Sequence, residues 1–196
     1  MTDGIEPDLN RRIAGRVRGL RASRGLTLEG LAERSGVSRS MISLIERGES
    51  SPTAVLLERL AAGLSVPLAS LFDTPAANPQ PVARRADQAR WRDPASGYVR
   101  RNVSPDGFPS PIRIVEVEFP RGARVAFDTG ARDARVHQQV WVLDGSIDVT
   151  VGEDRHELQK GDCLAFVLDR PVAFHNRSSK PARYAVVIAS EPGMSR

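Results

Sequence analysis

The stretch from residue 26 to residue 48, LTLEGLAERSGVSRSMISLIERG, constrains the fold more than any other part of the chain. Ahead of Gly36, apolar residues recur at the i, i+3, i+4 spacing of one helix face: Leu28, Leu31 and Ala32. Glycine tolerates the positive φ that a sharp turn requires, and Ile42 and Ile45 then resume the helical spacing. The pattern predicts two short helices packed around a tight turn.

Polar residues begin each of these helices. Thr27 and Ser38 are predicted N-caps, because a hydroxyl accepts one of the backbone N–H groups that a helix start leaves unbonded. The second helix then presents side chains that suit base edges and phosphates: Arg39, Ser40, Ser43 and Leu44. We therefore predict a helix-turn-helix whose second helix enters the major groove of DNA, with the two capping residues included in the contact set.

The preceding segment is strongly basic. Between Asn10 and Leu28 it contains six arginines and no acidic residue: Arg11, Arg12, Arg16, Arg18, Arg21 and Arg24. Apolar residues at helical spacing predict that the segment is itself a helix: Leu9, Ile13, Val17 and Leu20. Uncompensated arginines beside a helix-turn-helix favour phosphate contacts, and Arg18 and Arg24 are the predicted ones. A simply solvated charged face is the alternative.

These motifs resemble the lambda-repressor/Cro-like helix-turn-helix family over about residues 10–72. The matching residues are Leu28, Leu31, Ala32, Gly36, Val37, Ser38, Ile42, Ile45, Glu46 and Gly48. The resemblance implies a five-helix domain that binds double-stranded DNA, with SPTAVLLERLAAGLSVPLASLF as the fourth and fifth helices. The family often has a glutamine on the DNA backbone where this chain has Glu29. A carboxylate would repel phosphate, so Glu29 is interpreted as a first-turn residue favoured by the helix dipole.

Composition narrows the classes of protein to which this chain can belong. A length of 196 residues with 40% hydrophobic content allows one or two domains with a real core, and the net charge is only +4. Cys163 is the single cysteine, so an intrachain disulfide and a cysteine-based zinc site are excluded. No apolar run is long enough to span a membrane, and no secretory signal is recognised at the start. We expect a cytoplasmic protein with no membrane partner.

A domain boundary follows the helical pattern. Three prolines fall between Pro75 and Pro81, where no periodic apolar pattern exists, and this composition is typical of a linker. The predicted boundaries are residues 8–73 for the helical domain, 74–81 for the linker and 82–192 for the second domain. Residues 93–111 are interpreted as a loop or hairpin region of that second domain.

The second domain reads as β-structure. IRIVEVEF, from Ile112, alternates apolar and polar residues, and VWVLDGSIDVTV predicts two strands joined in a hairpin at Asp144–Gly145. A similar pair surrounds the turn at Lys160–Gly161–Asp162, and YAVVIA predicts a final strand. Seven or more short strands indicate a sandwich or barrel. The fold class is therefore α+β in two domains, the first all-α and the second all-β.

The order of these strands and turns resembles a small cupin, a jelly-roll barrel, over about residues 82–190. The matching residues are Val142, Leu143, Gly145, Gly161, Asp162, Pro171, Phe174 and Asn176. Cupins commonly bind a metal through histidine and carboxylate ligands, but the corresponding positions here are Arg132, Ala134, Gln138 and Val172. His137 and His175 lie one residue from those positions, which on a strand turns a side chain to the opposite face. We therefore predict neither a metal nor a cofactor.

Two alternatives for the metal stay open at the level of sequence. A site made of all three histidines is one: His137, His156 and His175. An alignment gap before His137 is the other, since GARDAR leaves freedom there. Either would support a metal-dependent cupin enzyme with an attached helix-turn-helix.

Without a metal, the barrel cavity is predicted to hold a small-molecule effector. Strand alternation from the motif positions predicts its lining: Gln138, Val140, Val172, Phe174, Cys163 and, at the mouth, Arg132. Trp141 should face the other side, toward ordinary packing or a second subunit. The leading hypothesis is a sequence-specific transcriptional regulator, not an enzyme, that binds DNA as a homodimer and responds to a ligand. A constitutive DNA-binding protein whose barrel only dimerises remains a further alternative.

Overall fold

The computed structural model describes residues 6–73, 79–128 and 135–190. Four α-helices form the first part of this described chain: α1 (Glu6–Ser23), α2 (Leu28–Ser35), α3 (Arg39–Glu46) and α4 (Ala54–Gly63). Two 3-10 helices follow, Leu68–Leu71 and Arg85–Asp87. The predicted fifth α-helix is thus wrong, because the segment forms a 3-10 helix. Pro67 lies at its start and its four residues end at Leu71, so the segment closes only a 3-10 turn.

Ten strands make up the rest of the described chain. In order they are β1 (Arg90–Arg92), β2 (Val99–Asn102), β3 (Ile112–Phe119), β4 (Arg124–Phe127), β5 (Val136–Asp144), β6 (Ser146–Val151), β7 (Asp154–Gln159), β8 (Cys163–Val167), β9 (Val172–His175) and β10 (Ala182–Ser190). They form a six-stranded sheet in the order β1-β2-β3-β10-β5-β8 and a four-stranded sheet in the order β4-β9-β6-β7. All the pairings are antiparallel, so the predicted sandwich or barrel is confirmed in outline.

The two predicted hairpins are wrong. The turn at Asp144–Gly145 carries the chain from β5 in one sheet to β6 in the other, and the turn at 160–162 returns it from β7 to β8. The tight hairpin lies between them, where β6 and β7 pair from Val151↔Asp154. Gly145 has φ +74°, and a Cβ there would lie 2.9 Å from the carbonyl oxygen of Pro181. The strong turn signal therefore marks a corner between sheets, which strands use when they cross from one layer to the other.

Strand burial follows the pleat. In β3 Val115, Val117 and Phe119 are buried, whereas Ile112 and Ile114 are exposed, which decides the alternation that the sequence left ambiguous. The buried apolar residues of the helices and of the barrel form one continuous core, since α1 packs against β1 and α4 against β4. The helical part therefore rests directly on the barrel. Across the described residues, no helix has the length and apolar character needed to cross a membrane.

Candidate nucleic-acid interface and barrel cavity

The turn between α2 and α3 is built by the capping residues that the sequence predicts. The Thr27 hydroxyl accepts a hydrogen bond from the Gly30 amide at 3.0 Å, and the Ser38 hydroxyl accepts one from the Met41 amide at 3.3 Å. Gly36 ends α2 with φ +65°, a left-handed conformation that glycine adopts without strain. Both caps are confirmed, Thr27 at the start of α2 and Ser38 at the start of α3.

Helix α3 is fixed to its neighbours by packing and by one partly buried ion pair. Ile42 and Ile45 are buried in the core. Arg21 on α1 donates two hydrogen bonds to the Glu46 carboxylate, at 2.7 and 2.8 Å, and a third to the Leu26 carbonyl at 2.8 Å. The bond with Glu46 raises the pKa of Arg21. Arg21 was predicted to belong to a phosphate-facing surface, but it serves instead to hold α1 against α3.

The outward surface of α3 carries the predicted recognition residues. Arg39 and Ser40 are exposed, whereas Ser43 and Leu44 are partly buried. Arg39 Nε lies 2.5 Å from Glu29 Oε1, and both side chains remain more than half exposed. The Ser43 hydroxyl accepts a hydrogen bond from Arg47. The Arg39–Glu29 pair was missed from sequence, because the two residues meet only when α2 and α3 pack across the turn.

The arginines of the first basic segment divide into two groups. Arg12 donates to Asp106 at 3.2 Å and Arg16 donates to the Ser70 carbonyl at 3.0 Å, so these two are engaged within the molecule. The exposed group is Arg11, Arg18 and Arg24. The pKa of Arg24 is lowered, first by burial and then by the neighbouring positive charges of Arg34 and Arg16. This second group forms the exposed positive charge beside the helix-turn-helix.

A cavity lies inside the barrel, beneath the helical part. Its wall is largely apolar, and its volume is about 60 Å³. Strands of both sheets line it, and the helical part closes one side through Glu58, Pro67 and Leu68. Aromatic rings crowd the interior, where Phe174 and Tyr184 stack in parallel with centroids 5.8 Å apart. The cavity therefore belongs to both parts of the molecule.

Only some of the residues predicted to line the cavity do so. Gln138, Val172 and Phe174 line the cavity. Val140 is fully buried on the interior side but is not among the lining residues. Arg132 lies outside the described residues.

The prediction for Cys163 is wrong. The thiol is exposed, with Sγ 4.0 Å from the Gln139 amide oxygen. Cys163 pairs directly with Trp141, which is 50% exposed, and paired residues share a sheet face. The inward residues of β8 are instead Leu164 and Phe166, so the alternation assumed for that strand was shifted by one residue.

One lining residue was missed entirely. Arg100 lies on β2, inside the stretch interpreted as loop or hairpin, and is only 6% exposed. Its guanidinium carbon lies 4.8 Å from the centre of the Phe72 ring. A possible signal was the alternation of Tyr98 and Arg100, which places both on one face of a strand, but a buried arginine resembles a surface residue in sequence.

The residues at the cupin ligand positions do not fit a metal. Within the parts of the chain that the structure describes, no three histidine, cysteine or acidic side chains are grouped so that they could hold a metal ion. Gln138 and Val172 line the cavity at two of the ligand positions, and neither side chain supplies the anionic or imidazole donor that a transition metal requires. His137 and His175 do not line the cavity.

Comparison with known proteins identifies both parts. Residues 17–71 match the helix-turn-helix family and residues 123–188 match the cupin domain family. The HTH-type transcriptional regulator SutR of Escherichia coli is 27% identical over 181 residues, covering 92% of this chain and 96% of that protein. An uncharacterized HTH-type transcriptional regulator, y4dJ of Sinorhizobium fredii, is 37% identical over 59 residues, or 30% of this chain and 77% of that protein.

A solved structure extends the likeness to the whole molecule. The crystal structure of an HTH_3 family transcriptional regulator from Vibrio cholerae superimposes with a TM-score of 0.75 at 28% identity, covering 95% of this chain and 98% of that one. The likeness includes the helices and the barrel together. The chain therefore belongs to the XRE-type helix-turn-helix family, in the form that carries a C-terminal cupin domain.

Proposed function

We propose that this protein is a transcriptional regulator that binds operator DNA through α3 as a homodimer and responds to a small molecule in the barrel cavity. The observation that carries the DNA-binding part is the surface of α3. A capped helix presents Arg39 and Ser40 outward at its N-terminal end, the end with which a recognition helix meets base edges. The relatives named as transcriptional regulators support the same conclusion.

Arg39 is proposed as the principal base contact, with Glu29 as its partner in the free protein. An exposed ion pair of this kind contributes at most about 1 kcal/mol, so DNA can displace Glu29 at little cost. A bidentate arginine–guanine contact contributes about 1–3 kcal/mol. The residues proposed to complete the interface are Thr27, Ser38, Ser40, Ser43 and Leu44, with Arg18 and Arg24 on phosphates.

The DNA-binding proposal is tested by selecting sites from a random duplex library and measuring affinity by fluorescence anisotropy. We expect Arg39→Ala to lower the affinity for the selected DNA by about a hundredfold or more, because a dimer makes the contact twice. Glu29→Gln is expected to strengthen binding, since a carboxylate near phosphate is removed. Arg170→Ala, which changes an exposed barrel arginine paired with Asp169, is the matched control. Unchanged affinity in Arg39→Ala would contradict the assignment of α3.

Dimerisation is proposed through the outer face of the six-stranded sheet. Trp141 is 50% exposed and Ile114 is 37% exposed, and on β10 they pair with Ala185 and Val187 of that face. A solvent-exposed tryptophan beside aliphatic residues is typical of a protein contact. Two half-sites about one helical turn apart are expected in the selected DNA. A monomer in sedimentation at concentrations that saturate this DNA contradicts the homodimer.

Ligand response is proposed because the cavity is shared. Leu68 and Pro67 of the helical part form one side of its wall, so a bound molecule would contact both parts at once. A ligand shifts a conformational equilibrium only if it binds the two states with different affinity, and a ligand that contacts both parts would distinguish states in which their relative placement differs. A barrel that only dimerises would not need this cavity.

An enzymatic role is not favoured, because the ligand positions do not fit a metal and the full-length relatives are named as regulators. The protein is proposed to act in the cytoplasm, where its DNA lies.

A further inference from the structure

We propose that Arg100 anchors the carboxylate of a small, otherwise apolar, monoanionic ligand in the barrel cavity. The inference rests on the proposed ligand response and names the chemical class of the ligand. Arg100 lies in the cavity wall, and only 6% of its surface is exposed. Its Nε and Nη2 atoms are both buried without a hydrogen-bond partner. These two nitrogens form one edge of the guanidinium, which is the edge that binds a carboxylate through two parallel hydrogen bonds.

Within the described residues Arg100 has no ion-pair partner, and the charge of Asp73 offsets only part of the effect of burial on its pKa. Arg100 has no carboxylate within the 4.0 Å of an ion pair, and Asp73, the acidic residue that influences it, lies against Arg113 at 3.7 Å. Burial lowers the pKa of Arg100, yet an arginine remains charged in proteins. Glu58 also reaches the cavity, from α4, and is 4% exposed.

The neighbouring phenols cannot supply the negative charge either. Burial raises the pKa of Tyr98 and of Tyr184 well above the ordinary tyrosine value, so both hydroxyls are neutral near pH 7. A neutral phenol can donate a hydrogen bond to an anion. Both tyrosines line the cavity with Arg100. The anchor is therefore a cation flanked by potential hydrogen-bond donors.

Magnitudes show that the protein alone does not compensate Arg100. Contact with the Phe72 ring, whose centre lies 4.8 Å from the guanidinium carbon, compensates the buried charge only in part. Burying an ion costs several kcal/mol after relaxation, which leaves a deficit that an anion in the cavity would remove. Phe72 lies at the end of the helical part and contacts Arg100. An anion bound to Arg100 would therefore also affect a residue that joins the two parts.

The cavity limits the ligand to one small carboxylate. About 60 Å³ of room corresponds to roughly four to six water-sized groups. Most of the remaining wall is apolar, including Val117, Phe119 and Val186, and its other polar side chains are Glu58, Gln138 and the two tyrosines. A single guanidinium balances one negative charge, whereas a phosphate dianion would bring a second charge into an apolar site.

The test measures binding of defined probes to the full-length protein by isothermal titration calorimetry. The acids are acetate and butyrate, which fall within this size limit, and the neutral matches are the corresponding amides. We expect at least one acid to bind, and its amide to bind at least tenfold more weakly. If no acid binds at millimolar concentration, or if the amides bind equally well, the proposal is overturned.

Two variants separate anchoring from a structural role. Arg100→Met removes the charge and keeps the volume, so it should abolish acid binding while leaving the unfolding midpoint unchanged or higher. Arg101→Met is the matched control, because Arg101 is equally buried but pairs with Glu116 and Gln88. It should lower the midpoint and retain acid binding. If Arg100→Met retains acid binding, or if it unfolds as readily as Arg101→Met, the anchor is wrong.

Failure of this inference is distinguishable from failure of the proposed function. Operator affinity of Arg100→Met without acid should equal that of the unsubstituted protein, because Arg100 is buried on β2 in the cavity wall and is not part of α3. An acid that binds and alters operator affinity only in the unsubstituted protein supports both proposals. An acid that binds without altering operator affinity supports the anchor and contradicts the ligand response.

Discussion

The helical part and the barrel present their chemistry in opposite ways. In the helical part the proposed contacts lie on an exposed helix surface and are positioned by residues next to them in sequence, such as the Ser38 cap before Arg39. In the barrel the proposed anchor is buried and is positioned by strands far apart in sequence, since Arg100 on β2 pairs with Val117 on β3. Local sequence therefore describes the first site well and the second poorly.

The strongest way to test this contrast uses two glycines with the same backbone conformation. Gly145 has φ +74° and Gly36 has φ +65°, but only Gly145 has backbone within 3 Å of the position where a Cβ would lie. The left-handed conformation costs about 1–2 kcal/mol for alanine, and overpacking at the sheet corner adds to it. We expect Gly145→Ala to cost about 3 kcal/mol and Gly36→Ala about 1 kcal/mol.

The two parts can be monitored separately in this experiment. Both tryptophans, Trp91 and Trp141, lie in the barrel part, so fluorescence follows that part while circular dichroism at the helix band follows the other. Urea unfolding should show the Gly145→Ala loss mainly by fluorescence. Equal losses for the two glycine variants would indicate that the corner between the sheets is not tightly packed.

A smaller effect is expected from two glutamates of the helical part. Glu46 is 7% exposed and receives two hydrogen bonds from Arg21, whereas the Glu29 side chain is 59% exposed. Removing the charge of Glu46 leaves a nearly buried guanidinium poorly paired, so Glu46→Gln should cost about 2 kcal/mol. Glu29→Gln should change stability by less than about 0.5 kcal/mol. Urea unfolding followed by circular dichroism measures both, and a costly Glu29→Gln would mean that its pair with Arg39 is structural.

The smallest effect concerns the exposed outer face of the barrel. Cys163 is exposed and its thiol lies 4.0 Å from the Gln139 amide oxygen, so Cys163→Ala should change stability by less than about 0.5 kcal/mol. The native thiol should react with a disulfide reagent without denaturant, as followed by absorbance. Reaction only after unfolding would show that Cys163 faces the interior, as the strand pattern alone suggested.

The predictions that failed share a physical cause. The two turns at Gly145 and Gly161 are real, but a turn signal does not tell whether the strands on either side pair with each other or belong to different sheets. A shift of one residue in strand alternation reversed the face assigned to Cys163. Helical spacing is more tolerant, and the predicted apolar face of α3, Ile42 and Ile45, is buried.

The sequence by itself determined the caps, the turn and the exposed surface of the helix-turn-helix, because each depends on residues within one or two helical turns. It also determined that the second part is made of short antiparallel strands, whose period of two is local. Only the tertiary structure decided that Arg21 holds α1 to α3, that Glu29 meets Arg39, and that Arg100 enters the cavity beside Phe72. These contacts join residues from separate elements, and a charged side chain acquires a burial cost and a partner only after those elements have packed.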